Sequence, residues 1–114
     1  MVTLTDNARE AVKQIIAALP ERRRAALLAD LSQADIEDRN GLGSILGFKL
    51  PGHAPVHFRG KLLPVEGAVD DADGEGVEVL LFVDAQGRLS ELELVRYATG
   101  DLKGPNWTTF RLRG

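Results

Sequence analysis

The sequence predicts an α+β domain in which two N-terminal helices pack on one antiparallel meander sheet of about five to six strands. Apolar residues repeat at three- to four-residue spacings before residue 32 and mainly at two-residue spacings after it. Glycine-containing turns also become frequent only in the second part. Since 114 residues suffice for one core, we expect a single domain over 1–114, helical at 5–31 and a sheet at 34–112.

The helical part is predicted to contain two short helices that meet at Pro20. Thr5 or Asp6 can cap the first helix, and Pro20 suits the first turn of the second. The apolar face of the first helix is formed by Ala8, Ala11, Val12, Ile15, Ile16 and Leu19. The second helix repeats the pattern with Leu27, Leu28 and Leu31. Both helices therefore need an apolar partner, which one face of the sheet can supply.

The sheet part is predicted from extended segments between turn signals. The segments cover residues 34–39, 44–50, 56–59, 61–69, 77–83, 88–97 and 107–112. Asn40-Gly41 is a strong hairpin signal, and residues 70–76 and 84–87 are turns by composition. The segment 77–83 is the most apolar and is expected at the centre. In the segment after it, Ser90, Leu92 and Leu94 are predicted on one face, and Glu91 and Glu93 on the other.

The composition excludes several functional classes. The absence of cysteine rules out a disulfide framework, a thiolate metal site and a cysteine nucleophile. No apolar run approaches 18 residues, and the first residues lack the pattern of a signal peptide. The pI of about 5.3 argues against a nucleic-acid-binding role for the Arg22-Arg23-Arg24 triplet. We therefore expect a cytoplasmic protein that binds neither a membrane nor nucleic acid directly.

Charge is unevenly distributed along the chain. Residues 66–93 carry nine acidic side chains against one basic one, a net charge of -8, whereas residues 94–114 have a net charge of +3. A concentrated acidic region can steer a basic partner towards it. The alternative is that these carboxylates only solvate turns and exposed strand faces.

The residues that could support catalysis are few. His53 and His57 are four apart, but Pro55 between them excludes a helical pair, and an extended segment would separate them by about 13 Å. The acidic turn at 70–76 lacks the final glutamate of a calcium loop, because Phe82 occupies that position. We therefore predict no catalytic residue, metal or cofactor. A small metal-dependent or hydrolytic enzyme that uses His53, His57 and the acidic loop is the alternative.

Tyr97 and Trp107 are the aromatic residues near the C-terminus that could act in binding. We expect them to pack in the core. If both are exposed, they could instead be anchors of a protein interface.

Several short motifs resemble a family of small, mostly uncharacterised bacterial proteins. The matching segments are GLGSI at 41–45, DADG at 71–74, VEVLLFV at 77–83, GRLSELE at 87–93 and PNW at 105–107. The similarity extends over roughly residues 24–112, and the 77–93 hairpin is its most specific part. Many relatives carry Cys-Gly repeats in the first turn, where this chain has Asn40-Gly41-Leu42-Gly43.

The resemblance implies an immunity protein of a bacterial toxin–immunity system, such as contact-dependent growth inhibition. Such a protein binds its cognate toxin domain and blocks its active site, and an acidic surface would suit a basic nuclease toxin. The acidic contacts that we predict are Asp70, Asp71, Asp73, Glu75, Glu91 and Glu93. The free protein is expected to be a monomer or a weak dimer. A structural module that self-associates through a strand edge is a further alternative.

Overall fold

The computed structural model describes residues 3–54 and 60–113. Its two helices are α1 (Asp6–Ala17) and α2 (Glu21–Gln33). The Thr5 hydroxyl accepts a 3.1 Å hydrogen bond from the Ala8 backbone N–H, which confirms Thr5 as the cap of α1. Pro20 precedes α2 directly, as predicted. No helix in the described part of the chain is long and apolar enough to cross a membrane.

The strands form one antiparallel sheet, and the α+β class is confirmed. The strands are β1 (Asp35–Asp38), β2 (Ile45–Lys49), β3 (Lys61–Leu62), β4 (Glu66–Asp70), β5 (Gly76–Val83), β6 (Leu89–Arg96) and β7 (Asn106–Arg113). The predicted segment 56–59 lies outside the described residues. The predicted segment 61–69 is divided into β3 and β4, so that the described residues contain seven strands.

The strand order departs from a simple meander. The order is β1-β2-β6-β5-β4-β7, with β3 also paired to β5. Only β4, β5 and β6 follow one another as a meander in the centre. The β1–β2 hairpin joins β6 on one side, and β7 returns to join β4 on the other. The chain therefore brings its C-terminal segment beside the acidic β4 strand.

The core lies between the helices and one face of the sheet. Its cluster joins the apolar face of α1 and residues Leu27 and Leu31 of α2 to inward side chains of the strands. Val77, Val79 and Leu81 of β5 are fully buried, which confirms the central position of that segment. Trp107 of β7 packs against this core, as expected.

The alternation predicted for β6 is shifted at its start. A β-bulge between Phe82 and Val83 pairs Val83 with Leu89. As a result Leu89 is buried in the core and Ser90 falls at the bulge, so that Ser90 is not the first residue of the core face. Beyond the bulge, Leu92 and Leu94 face the core as predicted, and Glu91 and Glu93 lie on the opposite face.

Candidate functional site

Three connections meet at one end of the sheet, which we call the loop end: the turn at 39–44, the turn at 71–75 and the loop at 97–105. Backbone hydrogen bonds join them to the central strands. The Leu94 N–H donates to the Ser44 carbonyl, and the Tyr97 N–H donates to the Gly76 carbonyl. Four of the six predicted acidic contacts lie here, at Asp70, Asp71, Asp73 and Glu75.

Asp71 is buried beneath the loop end and is only 3 % exposed. Its carboxylate accepts hydrogen bonds from the backbone N–H groups of Ala72, Lys103 and Gly104, at 2.9, 3.0 and 2.7 Å. Burial alone would raise the pKa of Asp71, but these N–H donors and Arg96 outweigh it and lower the pKa below its usual value. Asp71 therefore fixes the 97–105 loop to the 71–75 turn, and its burial argues against a direct contact with a partner.

Arg96 bridges both aspartates of the turn. Its Nη1 donates to Asp71 Oδ2 at 2.8 Å, and its Nη2 donates to Asp73 Oδ2 at 2.7 Å. The Arg96 guanidinium lowers the pKa of Asp73 to about 2, and the two carboxylates raise the pKa of Arg96. Much of the negative charge that the sequence places in this turn is therefore neutralised within the molecule.

Two other predicted contacts are also paired with arginines. Asp70 accepts a hydrogen bond from Arg111 of β7 at 3.2 Å, and Glu91 accepts one from Arg39 at 3.0 Å. Glu91 lies opposite Gly47 and Phe82, and thus further along β6 than the loop end. The acidic hairpin and the basic C-terminal segment, which are separate in sequence, therefore pair with each other in the fold.

Glu75 and Glu93 lie at two different places in the structure. Glu75 is exposed at the tip of the 71–75 turn. Glu93 is half-buried on the sheet face opposite the helices. In the strand register it lies directly across from Ile45 of β2 and Leu80 of β5. The six predicted residues thus do not form one continuous acidic surface.

Two large apolar side chains are exposed at the loop end. Leu42 is 51 % exposed and Tyr97 is 57 % exposed. The expectation that Tyr97 packs in the core is therefore wrong. Its ring lies against Gly76, where a Cβ atom would come within 3.0 Å, and its hydroxyl accepts a 2.6 Å hydrogen bond from Arg113. Tyr97 is thus held in place without being buried.

The turn that carries Leu42 is fixed by its own polar groups. The Asp38 carboxylate accepts hydrogen bonds from the N–H groups of Asn40, Gly41 and Gly43. The Asn40 side chain accepts a 3.1 Å hydrogen bond from the Leu42 N–H. Gly41 and Gly43 both have a φ of +73°, which glycine adopts without strain. An aspartate therefore stabilises this turn.

A cavity of about 230 Å³ lies beside Leu42, between the turn at 39–44 and the loop at 97–105. Its apolar lining includes Leu42, Ile45 and Leu102, and its charged lining consists of Glu93, Arg96 and Asp101. Asp101, which sequence reasoning counted only within the basic tail, is exposed at this cavity.

A second polar pair, His53 and Asp84, lies outside the loop end. His53 Nε2 is 2.6 Å from Asp84 Oδ2, and both side chains are largely buried. Asp84 Oδ1 also accepts from the N–H groups of Gln86 and Arg88. Burial opposes ionisation of Asp84, but the contact with His53 and these N–H donors lower its pKa overall. His57, which the sequence hypothesis places in one site with His53, lies outside the described residues.

The residues around His53 determine whether the His53–Asp84 pair could activate a nucleophile or bind a metal. A cavity of about 260 Å³ beside it is lined by Glu37, Arg39, Phe48, Lys49, Leu50 and His53. None of these described lining residues is a serine or threonine that the histidine could activate. Across residues 3–54 and 60–113, no group of three potential metal ligands is found. The pair joins the segment after β2 to the β5–β6 turn.

Comparison with known proteins shows the family of this chain. Residues 1–104 match the family described as a domain of unknown function, DUF6984. The chain belongs to that family. No curated protein and no solved structure matches the sequence. The matched residues of this DUF6984 domain include both helices, strands β1–β6 and nearly all of the loop end.

Sequence reasoning missed the pairing of Arg96 with the acidic turn and the role of Asp101. A partial signal for the first was present, because the predicted hairpin of 77–83 and 88–97 places residue 96 close to the 70–76 turn. The position of Asp101 at the cavity depends on the path of the irregular loop at 97–105. That loop has no periodic pattern from which its position could be inferred.

Proposed function

We propose that this DUF6984 domain is a protein-binding module that neutralises a basic partner protein, as an immunity protein neutralises its cognate toxin domain in the cytoplasm. The observation that carries the proposal is the combination, at the loop end, of two exposed apolar side chains with exposed carboxylates. Leu42 and Tyr97 supply the apolar part, and Glu75 and Asp101 supply exposed carboxylates. Aromatic anchors surrounded by polar groups are typical of protein interfaces.

The rigidity of the loop end supports this proposal. Asp38 holds the turn that carries Leu42, and Asp71 with Arg96 holds the 71–75 turn against the 97–105 loop. An interface whose loops are already ordered loses less conformational entropy on binding. In this proposal the domain blocks its partner by steric cover and by charge, has no catalytic residue, and is a monomer or weak dimer when free.

The set of proposed contacts differs from the one that the sequence suggested. Asp71 is assigned to the support of the loops, since it is buried and fully engaged. Asp70, Asp73 and Glu91 can contribute only by exchanging or sharing their arginine partners. Glu75 remains a proposed direct contact, Glu93 is proposed to act within the cavity, and Asp101 is added.

The test is co-expression of this domain with the product of the adjacent gene, which the proposal expects to be a toxin. Co-expression is expected to restore growth, and the two proteins are expected to co-purify. Leu42→Lys and Tyr97→Lys should each reduce co-purification, because the introduced cation is costly to bury and is repelled by a basic partner. Leu28→Lys is the matched control, since Leu28 is also an exposed apolar residue but lies on α2.

Two results would overturn the proposal. One is the absence of both growth rescue and co-purification with the neighbouring toxin. The other is binding by the Leu42→Lys, Tyr97→Lys double variant that equals binding by the unaltered protein. Unchanged thermal unfolding of each variant must accompany the measurement, so that loss of binding is not loss of folding.

A small hydrolytic or metal-dependent enzyme is the second candidate function, and the close contact of His53 with Asp84 favours it. A histidine oriented by an aspartate is a common arrangement for proton transfer. Metal analysis of the purified protein and a screen with ester and phosphoester substrates would test this candidate. A stoichiometric metal, or activity that disappears in His53→Gln, would support it over the binding role.

A further inference from the structure

We infer that the cavity at the loop end receives one lysine or arginine side chain of the partner protein. This inference rests on the proposed binding function and assigns to it the chemistry of one contact. The cavity lies between Leu42 of the first turn and the 100–102 segment of the loop that follows β6. Its volume of about 230 Å³ is below the range of about 300–1,000 Å³ that whole small-molecule ligands occupy. It therefore fits a single side chain.

The lining of the cavity has two chemical parts. Leu42, Ile45 and Leu102 provide apolar walls, and Asp101 provides a carboxylate at the exposed side. Lysine and arginine have an apolar stem and a cationic head, and they bury the stem while the head stays near water or an anion. A neutral apolar side chain would leave the Asp101 carboxylate unused, and an acidic one would be repelled.

The cationic group already in the cavity does not reverse this preference. Arg96 is one of the lining residues, but its guanidinium is bound to Asp71 and Asp73, at 2.8 and 2.7 Å. Together the three groups have a net charge of -1, to which Asp101 of the lining adds. Lys103 is exposed nearby in sequence, but it is not among the residues that line the cavity. The charge around the cavity therefore favours a cation.

The walls of the cavity are fixed before a partner arrives. The Asp38 carboxylate holds the Gly41 and Gly43 N–H groups at 3.0 Å each, which sets the position of Leu42. On the other wall, Asp71 holds the N–H groups of Lys103 and Gly104, directly after Leu102. Because both walls are ordered by hydrogen bonds, the cavity can accept a side chain without a large rearrangement.

The direct test is an NMR titration of the ¹⁵N-labelled full chain with two short peptides. The probes are acetyl-Gly-Arg-Gly-amide and acetyl-Gly-citrulline-Gly-amide, which have nearly the same shape but differ in charge. The arginine peptide is expected to shift the amide signals of residues 42–45 and 100–102, and the citrulline peptide is expected to bind more weakly. Asp101→Asn should weaken arginine-peptide binding about threefold or more, the effect of one exposed ion pair.

Asp35→Asn is the matched control, because Asp35 is an exposed aspartate of β1 outside the cavity lining. It should leave arginine-peptide binding unchanged. The inference is overturned if no signal of 42–45 or 100–102 moves. It is also overturned if the citrulline peptide binds equally well, or if Asp35→Asn weakens binding as much as Asp101→Asn.

The outcomes separate this inference from the proposed function. If the toxin is neutralised but Asp101→Asn binds it as tightly as the unaltered domain does, the cavity assignment is wrong and the binding function stands. If the peptide titration succeeds but the toxin is not bound, the cavity accepts cations and the immunity role is wrong.

Discussion

The two turns that flank β5 have the same local design but different partners. One begins at Asp71 and the other at Asp84, and each reads Asp-Ala-x-Gly. In each, the aspartate N–H donates to the carbonyl four residues later at 2.8 Å, and the glycine N–H donates to the aspartate carbonyl at 2.9 Å. The glycines, Gly74 and Gly87, have φ values of +87° and +77°. Both aspartates are buried.

What differs is the cation that each aspartate meets. Asp71 meets Arg96, which is charged at every accessible pH, and it also holds the 97–105 loop. Asp84 meets His53, whose contact is an ion pair only when the ring is protonated. The same turn sequence therefore secures the proposed binding surface at one end of β5 and the segment after β2 at the other. The Asp-Ala-x-Gly sequence therefore determines the shape of each turn. The residue that packs against the aspartate determines which segment the turn holds in place.

The largest effect is expected from removal of the permanent cation. Arg96→Met leaves the Asp71 carboxylate buried without its charge partner, and breaking a buried pair in this way is strongly destabilising. We expect the midpoint of thermal unfolding to fall by about 10 °C or more. Arg111→Met is the control, since Arg111 and its partner Asp70 are both half-exposed, and it should change the midpoint little. Equal effects of the two variants would contradict the role given to Arg96.

A smaller effect is expected at the other turn. Asp84→Ala removes the acceptor of the Gln86 and Arg88 N–H groups together with the contact to His53. We expect the free energy of unfolding in urea to fall by about 1–3 kcal/mol.

Asp84→Asn separates the contribution of the turn hydrogen bonds from that of the contact with His53. It keeps an oxygen for the two turn N–H groups but removes the charge that faces His53, and it should cost less than Asp84→Ala. If His53→Gln costs as much as Asp84→Ala, the turn hydrogen bonds contribute little and the two turns are less alike than their geometry indicates.

The elements of this fold were predictable from the sequence because their signals are local. The spacing of apolar residues in α1, the Pro20 break and the Asn40-Gly41 signal each act over a few residues. The helix, the break and a β1–β2 hairpin are confirmed, although Gly41 and not Asn40 has the positive φ. The bulge beside Val83 was not predicted, because Ser90, Leu92 and Leu94 by themselves fit an unbroken alternation, and the bulge changes only the start of the strand.

The electrostatics of the candidate site could not be read in the same way. The sequence separates an acidic hairpin from a basic tail, but β7 pairs with β4, and Arg111 thereby reaches Asp70. Arg96 likewise turns back onto Asp71 and Asp73. Charge counted along the chain therefore overestimates the negative charge that a partner would meet. Asp71 is buried and Asp101 is exposed, which makes Asp101 the better candidate contact. This difference in exposure depends on the path of the loop at 97–105, for which the sequence has no local pattern.

The smallest effect is expected at Asp73, and it should be lost in acid. The pKa of Asp73 is lowered from 3.8 to about 2 by Arg96, so its contribution to stability is complete above pH 3.8 and is lost as the pH falls towards 2. Asp73→Asn should lower the thermal midpoint at pH 6 by at most about 5 °C, because Asp73 is partly exposed. The difference between the variant and the unaltered protein should then disappear near pH 2.

Glu75→Gln, in the same turn, is the control. Asp71 and Asp84, whose pKa values are also lowered, should keep a residual acid dependence in Asp73→Asn. A difference that persists unchanged down to pH 2 would mean that Asp73 acts through its shape rather than through its charge on Arg96.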